Sequence, residues 1–176
     1  MDNRFHVNVI GEADPAGSRI FFEEEGRRIS PWHDIPLFVN EKDGLLNMVV
    51  EIPKGTSAKL ETYESPDMID DKTGVQGDDD PLDVCEIGNE PAYPGEVKVV
   101  KVLGAIAILD QGQTDWKIIA VDTYDPLHSK LGDISDVETH LPGFLEKLKE
   151  WYCLYKIPEG KPPNELALGG QLQDRP

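Results

Sequence analysis

Gly77-Asp78-Asp79-Asp80-Pro81-Leu82-Asp83-Val84-Cys85-Glu86-Ile87-Gly88 sets four carboxylates, Asp78, Asp79, Asp80 and Asp83, within six residues and then turns into an apolar run. Carboxylates held close together repel one another and lose hydration unless cations neutralise them. Oxygen-only ligands of this kind suit hard ions such as Mg²⁺ or Mn²⁺. Mg²⁺ commonly keeps some waters and shares its coordination with substrate phosphates. The segment therefore points to a metal-dependent phosphate site. In a chain with 34 acidic and 17 basic residues, an acidic run is also explained as a solvated loop. The continuation Leu82, Val84, Cys85, Ile87 is strand-like and argues against that. The nearby pair Asp70-Asp71 has no such continuation and is read as surface. An EF-hand calcium loop is a poor fit, because counting from Asp78 its fifth and sixth positions hold Leu82 and Asp83.

Leu109-Asp110-Gln111-Gly112-Gln113-Thr114-Asp115-Trp116-Lys117 separates two apolar runs, Val97 to Ile108 and Ile118 to Val121. A short connection with glycine between such runs predicts a β-hairpin. Asp110 and Asp115 then stand at its two strand ends and can face one pocket. Both also suit a turn for purely local reasons. Lys117 lies two residues beyond Asp115, on the same side of the strand. A carboxylate beside an ammonium fits a metal-phosphate site, and it equally describes a surface ion pair.

The Gly77–Gly88 segment resembles the signature of the soluble family I inorganic pyrophosphatases, Asp-x-Asp-Pro-hydrophobic-Asp-hydrophobic. Further segments resemble the eukaryotic branch of that family. They are Ser30 to Leu37, Asn47 to Pro53, Ala58-Lys59-Leu60-Glu61, Leu109 to Lys117, and Leu154-Tyr155-Lys156-Ile157-Pro158-Glu159-Gly160-Lys161-Pro162. Their order matches from about Ile20 to Lys161. The resemblance implies hydrolysis of inorganic pyrophosphate to two phosphates with several Mg²⁺ ions, Mn²⁺ being a substitute. Carried onto matching positions, it implies Asp78, Asp83 and Asp115 as ligands of the principal metal. Asp110 joins Asp83 and Asp115 for further metals, and Glu61 acts on a metal through water. Asp80 is implied as general base for the attacking water. Lys59, Lys117, Tyr155 and Lys156 are implied as contacts to pyrophosphate or product phosphate. Metal coordination that acidifies water, and ammonium groups that offset phosphoryl charge, are what such a reaction needs.

The chain departs from the family pattern after Glu61. Thr62-Tyr63-Glu64-Ser65-Pro66-Asp67 resembles a family segment that belongs some tens of residues further on. The expectation is a single domain over 1–176, internally deleted near 61/62, with no counterpart of the family's substrate-binding Arg and Tyr residues of that stretch. Pro163-Asn164-Glu165-Leu166-Ala167-Leu168-Gly169-Gly170 resembles the family's Asn-Gln-Phe-Ala-Phe-x-Gly stretch, and Gln171 to Pro176 resembles nothing in the pattern.

Composition bounds the rest. A chain of 176 residues fits one domain with a sizeable core. A formal net charge of −17 argues against nucleic acid and against anionic membranes as partners. It also attracts divalent cations and favours metal-complexed pyrophosphate over the free anion. Cys85 and Cys153 read as small buried thiols, with no Cys-x-x-Cys to indicate zinc. No run has transmembrane length and no leader pattern opens the chain, so the expected compartment is the cytoplasm. Eukaryotic-type relatives are often dimers, which keeps a homodimer open.

The periodicities predict mostly strands and then one good helix. Residues 1–19 read as irregular. Ile20-Phe21-Phe22 predicts a strand closed by a turn at Gly26, and Leu37 to Val39 and Leu45 to Ile52 predict strands around Asp43-Gly44. Residues 62–77 read as an acidic connector. Three strands follow to Val121, then a helix from Pro142 to Tyr155 with Phe144, Leu148, Trp151, Tyr152 and Tyr155 at helical spacing. Those aromatics, and Trp116, read as packing residues. The expected class is mainly β with α (α+β), an OB-like five-stranded pyrophosphatase barrel, incomplete, plus one main C-terminal helix. Three functional readings remain: a Mg²⁺-dependent pyrophosphatase, an impaired relative that binds Mg²⁺ and modulates or pairs with a full-length partner, and an acidic β-barrel interaction module.

Overall fold

The computed structural model describes residues 4–10, 19–56, 81–110 and 112–175. The fold is mainly β with a few helices, as expected. Its described residues fall into two compact units. One takes those of Met1–Val39, Asn47–Pro81 and Pro91–Val99, the other those of Asn40–Leu46, Leu82–Glu90 and Val100–Pro176.

The first unit holds β1 (His6–Ile10), β2 (Arg19–Glu24) and β3 (Arg27–Ile29), an antiparallel sheet in that order. The β2–β3 turn is Glu25-Gly26, with φ of 50° and 74°. Positive φ at both central residues is the hairpin turn whose twist matches its strands. Phe5, Phe22, Ile35 and Val97 are buried together, with Val7, Ile29 and Val49 packed against them. The expectation of irregular chain before residue 19 is corrected here, because His6–Ile10 forms a strand. Val9 and Ile10 remain about half exposed, so pairing with β2 makes this strand rather than burial of its own face.

A second sheet runs in the order β4 (Phe38–Asn40), β5 (Leu45–Val49), β7 (Val97–Asp110), β8 (Gln113–Asp122), β6 (Asp83–Glu86). Two short strands, β9 (Glu165–Leu166) and β10 (Gln173–Asp174), also pair β7. Neither sheet closes on itself among the described residues. β7 and β8 form the predicted hairpin, with register from Asp110↔Gln113 to Val100↔Asp122 and a bulge between Val102 and Gly104. β6 lies parallel to β8, with Asp83 opposite Lys117.

The core of the second unit gathers Leu103, Ile106, Ile108, Ile119 and Val121 of the hairpin with Leu131, Ile134, Val137, Leu145, Leu148 and Tyr152. The last six come mostly from two helices, α1 (Ile134–His140) and α2 (Phe144–Leu154). α1 was not expected. Its start is written in Asp133-x-x-Asp136, a capping box in which each side chain satisfies the other's backbone amide. α2 is the expected main helix. Its packing face differs in one respect, since Tyr152 is buried whereas Trp151 is half exposed. Trp116, on the outward face of β8, is also exposed rather than packed.

Candidate active site

Strand register builds the site in the second unit. Asp115 and Lys117 are two apart on β8 and so share a face, and parallel pairing brings Asp83 of β6 opposite Lys117 on that face. Asp110 pairs Gln113, which is two residues from Asp115, so the fourth member lies on the same side. The Lys117 ammonium is bonded to Asp83 Oδ2 and lies 2.7 Å from Asp115 Oδ2. Its side chain is only 5% exposed, whereas that of Asp83 is 54% exposed. A buried ammonium is tolerated only when paired. Burial works to lower its pKa, but the hydrogen bonds with Asp115 and Asp83 outweigh that and hold it above the ordinary value.

A second ion pair stands at the hairpin tip. The Lys156 ammonium is bonded to Asp110 Oδ2. This hydrogen bond holds the Asp110 carboxyl below the ordinary carboxylate value, and it raises Lys156 against the pull of burial. Lys156 follows the C-terminus of α2, directly after Tyr155. The Tyr155 ring stacks on Trp151 at 4.9 Å, and the Lys156 ammonium lies 5.5 Å from the Tyr155 ring centre. Buried Tyr152 meets the Tyr155 ring edge-on at 6.4 Å, and burial pushes its hydroxyl pKa far up.

Asp110 and Lys156 line a cleft of about 530 Å³ together with Lys161, Pro162, Asn164 and Glu165. Lys161 and Asn164 were not expected as site residues. The signal for Lys161 was a second basic residue five positions after Lys156, across a Pro-Glu-Gly turn. The signal for Asn164 was its place as the Asn of the Asn-Gln-Phe-Ala-Phe-x-Gly resemblance. Of the expected residues, the fold brings together Asp83, Asp115 and Lys117, and separately Asp110, Tyr155 and Lys156. Lys59, Glu61, Asp78 and Asp80 lie outside the described residues.

The family model for inorganic pyrophosphatase matches residues 62–175. The inorganic pyrophosphatase of Debaryomyces hansenii is 43% identical over 97% of this chain and 74% of its own length. The solved type I inorganic pyrophosphatase of Toxoplasma gondii is 34% identical with a TM-score of 0.79, covering 97% of this chain and 91% of that one. A truncated Trypanosoma cruzi vacuolar soluble pyrophosphatase, solved in complex with PPi, is 30% identical with a TM-score of 0.76, covering 97% and 84%. The chain belongs to the inorganic pyrophosphatase family. The match to the Debaryomyces pyrophosphatase runs over 211 positions, whereas this chain has 176 residues, so at least 35 positions have no residue here.

The donor chemistry of the residues present fits the divalent metal that the family implies. Asp83 and Asp115 each turn an oxygen onto one cationic nitrogen, so the spot between them accepts positive charge. All the candidate donors are carboxylate oxygens, which fits a hard divalent ion and not zinc. No group of three or more metal-ligating side chains is gathered among the described residues.

The two ion pairs predict opposite limbs of a stability profile. A raised folded-state pKa at Lys117 means its contribution is complete below 10.5 and is lost as pH rises through the higher folded value. The lowered Asp110 value means its contribution is present above 3.8 and is lost as pH falls below that. Urea midpoints against pH for the parent and for Lys117→Met will diverge in shape on the alkaline limb. Parallel alkaline limbs would contradict the Lys117 assignment.

Proposed function

We propose that this chain hydrolyses inorganic pyrophosphate to two phosphates with Mg²⁺. The observation that carries the reading is the pairing of Asp83, Asp115 and Asp110 with Lys117 and Lys156 on one face, in a chain of the pyrophosphatase family. The PPi held by the Trypanosoma cruzi relative supports the choice of substrate. Asp78, Asp83 and Asp115 would hold the principal ion, Asp110 the further ions with Asp83 and Asp115, and Glu61 would act through water. Bound Mg²⁺ (or Mn²⁺) supplies an acidified water and neutralises phosphate charge.

The chain's own residues do the rest. Asp80 takes a proton from the attacking water as its oxygen bonds to one phosphorus, and the bridging P–O bond breaks to release the second phosphate. Lys59, Lys117, Tyr155 and Lys156 contact the phosphate oxygens and offset the charge that develops on them. Lys161 adds a second ammonium to the Lys156 side of the cleft. The start of the family match at residue 62 supports an internal deletion beside Glu61 within one domain. The net charge of −17 supports a protein with no nucleic-acid or anionic-membrane partner, the cytoplasm is the proposed compartment, and a homodimer follows the habit of the family. Among the described residues, no helix is long and apolar enough to cross a membrane. Nothing in the described residues favours the impaired relative.

The deciding assay is phosphate release from pyrophosphate with and without Mg²⁺, beside Asp80→Asn. The expected result is Mg²⁺-dependent release that the variant loses. A folded chain that releases no phosphate sinks the proposal.

A further inference from the structure

The six residues Lys156 to Lys161 close on themselves. The Lys161 amide donates to the Lys156 carbonyl at 3.3 Å and the Gly160 amide to the Ile157 carbonyl at 2.9 Å. Gly160 sits at φ 78°. This is a Schellman turn, with glycine at its left-handed position and the two bonds nested. Its first and last residues are the two cleft lysines, so the turn fixes their backbones 6→1 apart.

A separate contact anchors that turn. The last carbonyls of α2 have no partner within the helix. Trp151 O accepts from the Tyr155 amide at 2.9 Å. The next two are taken by one residue, Asn164, whose amide donates to Cys153 O at 2.9 Å and whose Nδ2 donates to Tyr152 O at 3.0 Å. Asn164 is only 7% exposed and also lines the cleft. The chain thus leaves α2, presents Lys156, turns at Gly160, presents Lys161, and is pinned back to the end of α2.

We infer that Asn164 is a positioning residue that, with the Gly160 turn, presets Lys156 and Lys161 as a two-ammonium clip for a phosphate group. The inference rests on the pyrophosphatase reading and adds to it the device that orients two of its cations. Holding charges in place before the anion arrives removes an ordering penalty from binding. A clip acting on the bound anion affects KM more than kcat.

The test uses the whole chain with Asn164→Ala and, separately, Gly160→Ala. A Cβ at Gly160 would meet nothing within 4 Å, so that variant alters only the backbone preference of the turn. Calorimetric binding of inorganic phosphate is measured beside KM and kcat for pyrophosphate, with a thermal melt for each variant. Phosphate affinity is expected to weaken and KM to rise by on the order of tenfold in both, with kcat changed less than about threefold. Folded variants with parental phosphate affinity and KM overturn the inference, as does a fall in melting temperature with no change in either. Should Asn164→Ala unfold, Gly160→Ala decides alone. A parent chain that neither hydrolyses pyrophosphate nor binds phosphate removes the functional reading and the inference with it. A parent that does both, matched by its variants, removes the inference only.

Discussion

Lys117→Met lowers kcat/KM for pyrophosphate by about 10²–10³-fold while the chain stays folded. Methionine keeps the length and the apolar stem, so the 5%-exposed side chain still fills its place in β8. What it removes is the ammonium between Asp83 and Asp115. An exposed ion pair would contribute little to stability or activity. This one is buried at its cationic end and opens to solvent at Asp83, which is the arrangement of a site rather than of a surface pair. The same substitution deletes the cation that competes for the two carboxylates, so Mg²⁺ affinity is expected to rise as turnover falls. Steady-state kinetics and a Mg²⁺ titration of one variant read both quantities. Activity within about threefold of the parent would remove Lys117 from the proposed machinery.

Gly104→Ala destabilises the fold by about 3 kcal/mol, near the upper end for overpacking a well-filled core. Gly104 lies at the β7 bulge, where β10 crosses closely. An added Cβ would stand 2.4 Å from the Gln173 carbonyl oxygen and 2.9 Å from Ile134 Cβ. Neither is the movable end of a long side chain. The first belongs to the paired backbone of β10, the second to the first turn of α1. Relief therefore requires β10 to leave β7 or α1 to shift off the core. Gly112→Ala is the matched control. It has φ of 86° and open space around its Cβ, so it carries only the left-handed backbone penalty of about 1 kcal/mol. Urea denaturation of both variants settles the point. A Gly112→Ala loss equal to or larger than that of Gly104→Ala would refute the close approach.

Much of the frame around these positions is legible in the chain itself. Alternation over residues 97–108 and 118–121 and the glycine at 112 announce the β7–β8 hairpin. Two-residue spacing places Lys117 on the face of Asp115, and the structure has them 2.7 Å apart. Helical spacing over 142–155 announces α2. Each of these depends on neighbours a few residues away, which a backbone period exposes directly. The sequence also carries enough of the family pattern to name candidates for the site, Lys161 and Asn164 excepted. It says nothing of their pairing. Asp83 reaches Lys117 through a parallel ladder between strands 34 residues apart, and Lys156 reaches Asp110 across 46.

The shortest elements were equally illegible. His6–Ile10 has too little pattern to be read as a strand without β2 beside it, and β9 and β10 are two residues each, defined by the edge of β7 that accepts them. Asn164 reads as one polar residue after two prolines, and its role exists only because the loop returns to the end of α2. By itself, then, the sequence named candidate residues for the site, since local period and residue chemistry are properties of short segments. Which carboxylate meets which ammonium, and what holds the cleft lysines in place, was decided only by the tertiary structure. Those contacts join segments whose approach is set by strand pairing and helix packing, and no local pattern encodes them.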